Sequence, residues 1–167
     1  MITDLVQIKR FGEKQREENL RFRAWLKRHN FVERRFKAVA QEVEDSIDCT
    51  ACANCCRVAT TQINERDVER LARYFRLSAA GFRAQYTVTS AEEGLILKRN
   101  ENGCVFLEGN LCSVYDVRPG ACELFPHLAK GNGSLLSRMW HMPDRAVYCP
   151  IVFNTLEQFK SETGFKK

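Results

Sequence analysis

Cys49, Cys52, Cys55 and Cys56 fall within eight residues, in the run Cys49-Thr50-Ala51-Cys52-Ala53-Asn54-Cys55-Cys56, and they are half of the eight cysteines in the chain. The other four, Cys104, Cys112, Cys122 and Cys149, are dispersed over the C-terminal half. Thiolates are soft ligands that favour zinc and iron–sulfur clusters, and both commonly take four cysteines. Eight cysteines therefore match two four-thiolate sites in number. The expected chemistry is metal binding, with all eight as candidate ligands.

An even number of cysteines also permits disulfides, which belong to oxidising compartments. The start Met1-Ile2-Thr3-Asp4-Leu5 lacks the basic opening and apolar stretch of a signal peptide. No apolar run approaches the roughly 20 residues that cross a bilayer. The expectation is a protein of the reducing cytoplasm with no membrane partner, where clustered thiols bind metal.

The two-residue spacings from Cys49 to Cys52 and from Cys52 to Cys55 suit an iron–sulfur cluster whose fourth ligand is remote. Adjacent Cys55 and Cys56 are expected to diverge, one of them serving a different site from its neighbour. Three cysteines of the run plus one distant cysteine would then make one site. Zinc stays open as the alternative, since two-residue cysteine spacings are also its habit. His29, His127 and His141 are read as hydrogen-bonded structural residues. Tyr115 and Arg118, between Cys112 and Cys122, are candidates to stand behind the ligands, where an arginine would offset thiolate charge.

The elements that would position these groups form an α+β fold. It is a small, cysteine-rich, metal-organised core with a β-hairpin and short helices, preceded by N-terminal amphipathic helices. Residues 1–47 form the helical extension, 48–153 the metal-binding domain and 154–167 a C-terminal tail. In the extension, Leu5, Ile8 and Phe11 step by three, and Leu20, Phe22, Trp25 and Leu26 carry the apolar face onward. His29-Asn30 separates that stretch from the helical stripe Val32, Phe36, Val39, Val43 and Ile47. Asn64 caps a helix with Asp67 reaching back, and Val68, Leu71, Ala72 and Phe75 line its inner face. Ser78 caps a shorter helix with Phe82 and Tyr86. Leu95 to Lys98 and Cys104 to Leu107 read as strands, with turns at Asn102-Gly103 and Gly109-Asn110. Cys104 and Cys112 are expected to face each other near a hairpin, and Cys122 to lie in an irregular loop between proline breakers. From Asn154 a short helix would turn Leu156 and Phe159 inward.

Between Lys9 and Lys37 eleven Lys or Arg stand against four Glu. The interspersed glutamates fit the solvated face of a helix better than a nucleic-acid surface.

Taken together, Cys49-x2-Cys52-x2-Cys55-Cys56, Cys104-Val105-Phe106-Leu107, Cys112-Ser113-Val114-Tyr115, Arg118-Pro119 and Cys122-x2-Phe125-Pro126 resemble the CxxCxxCC family of YkgJ-like cysteine-cluster proteins. The resemblance runs from about Cys49 to Pro126, with Cys149 as the eighth cysteine, and leaves the N-terminal third outside. It departs at Asn54, where the family commonly has glycine, and at Glu123, where it commonly has arginine. It implies chelation of zinc or iron. Members are labelled iron–sulfur oxidoreductases, and related domains accompany protein-lysine methylation, an association too loose to transfer an activity.

Three functions stay open at this point. One is an iron–sulfur protein with one or two clusters and a redox or electron-transfer role beside a redox partner. Another is a zinc-stabilised module that binds a protein or nucleic acid. The last is a metal-dependent enzyme that modifies a peptide. No glycine-rich nucleotide fingerprint and no Cys/His catalytic pair assigns an activity.

Overall fold

The structure is a computed structural model that describes residues 1–29, 31–131 and 133–166. In chain order the helices and strands are α1 (Leu5–Lys14), α2 (Arg16–Arg28), α3 (Glu33–Ser46), α4 (Cys49–Cys52), α5 (Asn54–Val58), α6 (Glu65–Tyr74) and α7 (Ala79–Tyr86), then β1 (Thr87–Ser90), β2 (Gly94–Leu97), β3 (Arg99–Asn100), β4 (Gly103–Cys104), β5 (Leu107–Glu108) and β6 (Leu111–Cys112). A 3-10 turn at Tyr115–Val117 follows, then α8 (Gly120–Glu123), α9 (Leu135–Arg138), α10 (Met142–Arg145) and α11 (Pro150–Thr163). The fold class is α+β, helices with small antiparallel strand pairs. No described helix is long and apolar enough to cross a membrane. The chain divides into two compact units, Met1–Asp48 with Phe125–Lys167, and Cys49–Leu124.

The first unit is helical and organised on α11. Pro150 starts that helix, where a missing N–H costs nothing, and Gly164 ends it in the left-handed region at φ 69°. Its burial runs almost continuously from Pro150 to Leu156 and on to Phe159 and Lys160. The short amphipathic helix expected from Asn154 is thus a longer one that begins at Pro150 and is covered on nearly every side. Periodicity misses such a helix because it has no polar face to mark the period. Phe36 of α3 packs edge-on against Phe159, with ring centroids 5.0 Å apart.

Lys160, 2% exposed, is held by Glu18 at 2.7 Å and by Glu157. A buried ammonium is tolerated only when paired in this way. Buried Arg138 donates to the carbonyl oxygens of His127, Leu128 and Gly133, closing the loop before α9. Of the expected stripes, Ile8, Phe22, Leu26, Phe36, Val39 and Val43 are buried. Leu20 and Val32 stay exposed, Val32 because it stands at the N-cap of α3. The break between α2 and α3 includes His29, which stacks on Trp25; Asn30 lies outside the described residues.

In the second unit, α6 opens on the capping box read from the sequence. The Asn64 side chain accepts from the Asp67 N–H at 3.0 Å, and the Asp67 carboxylate accepts from the Asn64 N–H at 3.2 Å. Ser78 caps α7. Phe75, Tyr86 and Phe106 stack beside Phe82 over an apolar core that includes Val68, Leu71 and Leu97. Three two-stranded antiparallel hairpins follow: β1 with β2, β3 with β4, and β5 with β6. The strand β1 carries only four residues and was not anticipated, since Thr87-Val88-Thr89-Ser90 is short and its exposure does not alternate. The turns at Asn102-Gly103 and Gly109-Asn110 close the second and third hairpins as expected.

Candidate metal centre

Seven of the eight candidate cysteines lie on helices or strands of the second unit that are at most five residues long. Cys49 and Cys52 are on α4, Cys55 and Cys56 on α5, Cys104 on β4, Cys112 on β6 and Cys122 on α8. Cys149 belongs to the first unit, where it is 5% exposed within the apolar core and precedes α11. Cys122 is therefore on a one-turn helix and not in an irregular loop. Proline at position 119 ends the preceding turn and serves as the N-cap of that helix.

The CxxCxxCC run is split by Ala53, which takes the left-handed conformation at φ 46°, ψ 15° and separates α4 from α5. An alanine there is held against an intrinsic cost of about 1 kcal/mol. The departure from the family pattern at Asn54 falls one residue later, at the first position of α5. The strain thus sits on Ala53, not on the substituted position.

Two arginines lace this run to the hairpins. Arg57 donates to the Cys52 carbonyl at 2.8 Å and to the Gly109 carbonyl at 3.0 Å, and also meets the Asn110 side chain. Asn110 in turn donates to the Ala51 carbonyl at 2.9 Å. Arg99 donates to the carbonyl oxygens of Arg57 and Ala59. These bonds satisfy the exposed carbonyls of two very short helices, which cannot satisfy them internally.

Gly103 brings β4 against α5. Its φ is +123°, and a Cβ there would stand 2.5 Å from the Cys56 carbonyl oxygen and 2.7 Å from the Arg57 Cα. On the other side Asp67, 3% exposed, extends its capping role. Its Oδ1 accepts from the Gly120 N–H at 3.1 Å and from Arg70 at 2.7 Å. Arg70 donates onward to the carbonyls of Val117 and Arg118. The carboxylate therefore pins the start of α8, and with it Cys122, to α6.

Cys56, Cys104, Cys112 and Cys122, from four separate elements, lie close enough to act on one another's charge, and the Cys55 sulfur stands 4.0 Å from that of Cys56. In every one of the six pairs, charge on one sulfur disfavours charge on the other. Burial raises the Cys104 and Cys112 thiols, and the neighbouring thiols raise them further. Burial pushes Cys122 up to about 12, against a 3.7 Å hydrogen bond with the Thr61 hydroxyl. Cys56 runs the other way. Its hydrogen bond with the Cys55 thiol, at 4.0 Å, outweighs burial and, with Arg57 and Arg99, brings it down to about 7.

Cys56 of the run thus stands with three dispersed cysteines and with its neighbour Cys55. Cys55 and Cys56 do not diverge, since their sulfurs are 4.0 Å apart. Cys104 and Cys112 do not face each other across one ladder. Cys104 pairs with Arg99 and Cys112 with Leu107, on successive hairpins. Arg118, which stacks over Tyr115 at 4.0 Å, favours the Cys112 thiolate, as expected of a cation beside thiolate ligands. Asp67 in its second role, and Arg70, Arg99 and Thr61 were missed. Only the capping pattern at Asn64 and Asp67 gave any local sign of them.

The donor set fits a soft metal. Four thiols that repel as anions are an environment that a cation would relieve, and soft thiolates select zinc and iron–sulfur centres. Among the described residues, no three Cys, His, Asp or Glu side chains are arranged to hold a single metal ion as they stand. His29, His127 and His141 all belong to the first unit.

The family model CxxCxxCC, described as "Putative zinc- or iron-chelating domain", matches residues 48–150. Neither a curated protein nor a solved structure matches the chain.

Proposed function

The chain belongs to the CxxCxxCC family, and on that premise we propose that it carries an iron–sulfur cluster on Cys56, Cys104, Cys112 and Cys122, with a redox or electron-transfer role in the cytoplasm. One observation carries this reading: charge on any of the four thiols disfavours charge on the other three, so four soft donors from four separate elements act on one another. A tetrahedral zinc draws its sulfurs to within about 3.8 Å of one another, from a bond length near 2.3 Å. A centre of several irons and sulfides holds its four thiolates farther apart. Arg57, Arg99 and Arg118 would moderate the negative charge of such a centre, as outer-shell groups do. Cys49, Cys52 and Cys55 remain candidates for a second centre within the second unit.

The zinc reading, a structural site in a module that binds a protein or nucleic acid, is favoured by one distance. The 4.0 Å between the Cys55 and Cys56 sulfurs is near the spacing of a tetrahedral zinc site.

Protein purified without oxygen and assayed for iron, zinc, sulfide and visible absorption tests both. Iron with sulfide and a brown chromophore, lost in Cys104→Ser and in Cys122→Ser, is the expected result. Colourless protein with zinc supports the second reading. Full metal content in both variants overturns the four-thiol assignment.

A further inference from the structure

A cavity of about 330 Å³ opens in the second unit beside α8, lined by Arg70, Tyr115, Asp116, Arg118 and Glu123. It is small for a ligand site, where volumes run from about 300 to 1,000 Å³. Its lining is also unusual for one, being four charged side chains and a phenol instead of an apolar wall. An apolar ligand has little to gain there.

The charges are arranged but not spent. Arg70 is neutralised by Asp67 at 2.7 Å, and its Nε and one terminal nitrogen are committed to backbone carbonyls. Arg118 makes its stacking contact with Tyr115 at 4.0 Å, and its guanidinium has no hydrogen bond or ion pair among the described residues. The carboxylates of Asp116 and Glu123 likewise have none among those residues. One cation and two anions therefore line one small cavity without pairing with each other. Stacking on the ring fixes the plane of the guanidinium while leaving its N–H donors available, which suits bidentate recognition of a carboxylate. The backbone below is rigid, since Arg70 and Asp67 hold Val117, Arg118 and Gly120 in place.

We propose that this cavity binds a small zwitterion of the free α-amino-acid class, its carboxylate on Arg118 and its ammonium between Asp116 and Glu123. A simple anion would meet two carboxylates, and a simple cation would meet the guanidinium. A ligand carrying both charges a few bonds apart satisfies both sides at once. A free α-amino acid is also small enough for the space. The open, water-exposed setting of the two carboxylates makes the binding weak, in the range of about 0.1 to 10 mM, because ion pairs in water contribute little each. This inference goes beyond the metal reading and does not depend on it.

The test is an NMR titration of the full chain with a panel of free α-amino acids, each beside its N-acetyl and its carboxamide derivative, with acetate and ammonium as simple ions. At least one free amino acid should give saturable shifts at Tyr115, Arg118 and Glu123. Both blocked derivatives should bind at least tenfold more weakly, and Arg118→Gln and Glu123→Gln should each cost at least fivefold. The proposal is overturned by no saturable shift from any member of the panel, by blocked derivatives that bind equally well, or by binding that survives both substitutions. Metal content measured on the same samples keeps the two readings apart. Wild-type protein that holds its metal and binds no member of the panel counts against the cavity alone, and binding retained in a metal-free Cys122→Ser protein supports it.

Discussion

The α-carbon of Gly103 faces the backbone of Cys56 so closely that a single added methyl would lie 2.5 Å from the Cys56 carbonyl oxygen. The approach of β4 to α5, and hence of the Cys104 thiol to the Cys56 thiol, depends on that missing side chain. Gly103→Ala combines the clash with a backbone at φ +123°, where a side chain is strained. A loss of about 2–4 kcal/mol in denaturant unfolding is expected, from strain of about 1–3 kcal/mol plus the displaced contact. Metal content should fall with it. Wild-type stability in Gly103→Ala would show that the two segments are free to separate.

Asp67 ties three things to one carboxylate: the helix cap at Asn64, the guanidinium of Arg70 and the first N–H of α8. Replacing it with alanine removes a capping partner, worth about 1 kcal/mol, and leaves the part-buried N–H of Gly120 without its acceptor, at about 1–3 kcal/mol. A destabilisation of about 2–4 kcal/mol is expected by urea titration. Faster hydrogen exchange at Gly120 and Cys122 should accompany it, and exchange unchanged at those amides would count against the link from α6 to α8.

The thiols differ in their ordinary reactivity. In metal-free protein, Cys56 loses its proton near pH 7, held down by Cys55, Arg57 and Arg99, whereas Cys122 keeps its proton up to about 12. The thiolate is the reacting form. Alkylation by iodoacetamide at Cys56 should therefore rise through pH 6 to 8 and level off, while Cys122 stays slow throughout that range. Mass spectrometry of timed digests reads both sites, and equal rates at Cys56 and Cys122 at pH 7 would contradict the environments described.

Glu44 of α3 is half-buried, and burial lifts its carboxyl above the ordinary value of 4.5, against the Ala129 N–H and Lys130. A carboxyl raised on folding adds stability below its unfolded pKa, and that contribution is lost as pH rises through the folded value. Glu44→Gln keeps an oxygen acceptor for Ala129 and removes the buried charge. The variant should gain on the wild type between pH 4 and pH 7 and show little difference below pH 4. Parallel denaturant titrations at the two ends of that range measure it. A wild type that is the more stable at pH 7 would mean that the attraction to Lys130 outweighs burial.

Local chemistry was legible from residues alone. Asn64 with Asp67, Ser78, the Asn102-Gly103 and Gly109-Asn110 turns and the stripes through Phe36, Val39 and Val43 are all decided within one or two turns of chain, where a cap, a turn or a helical period is complete in itself. The tight spacing of Cys49 to Cys56 likewise announced soft-metal chemistry, because ligand type depends on the sulfur and not on the fold.

Tertiary packing decided the rest. Cys56 joins Cys104, Cys112 and Cys122 because Gly103 admits β4 to α5 and Asp67 pins α8, two contacts that link residues 47 and 53 positions apart in the chain. The helix α11, covered on nearly all sides, could not show a polar face, and the cavity at Arg118 exists only where the turn after β6 meets α6 and α8. Spacing along a chain fixes which groups can reach one another through a single turn. Which distant groups do meet depends on burial and steric fit among elements, and those act only once the chain has packed.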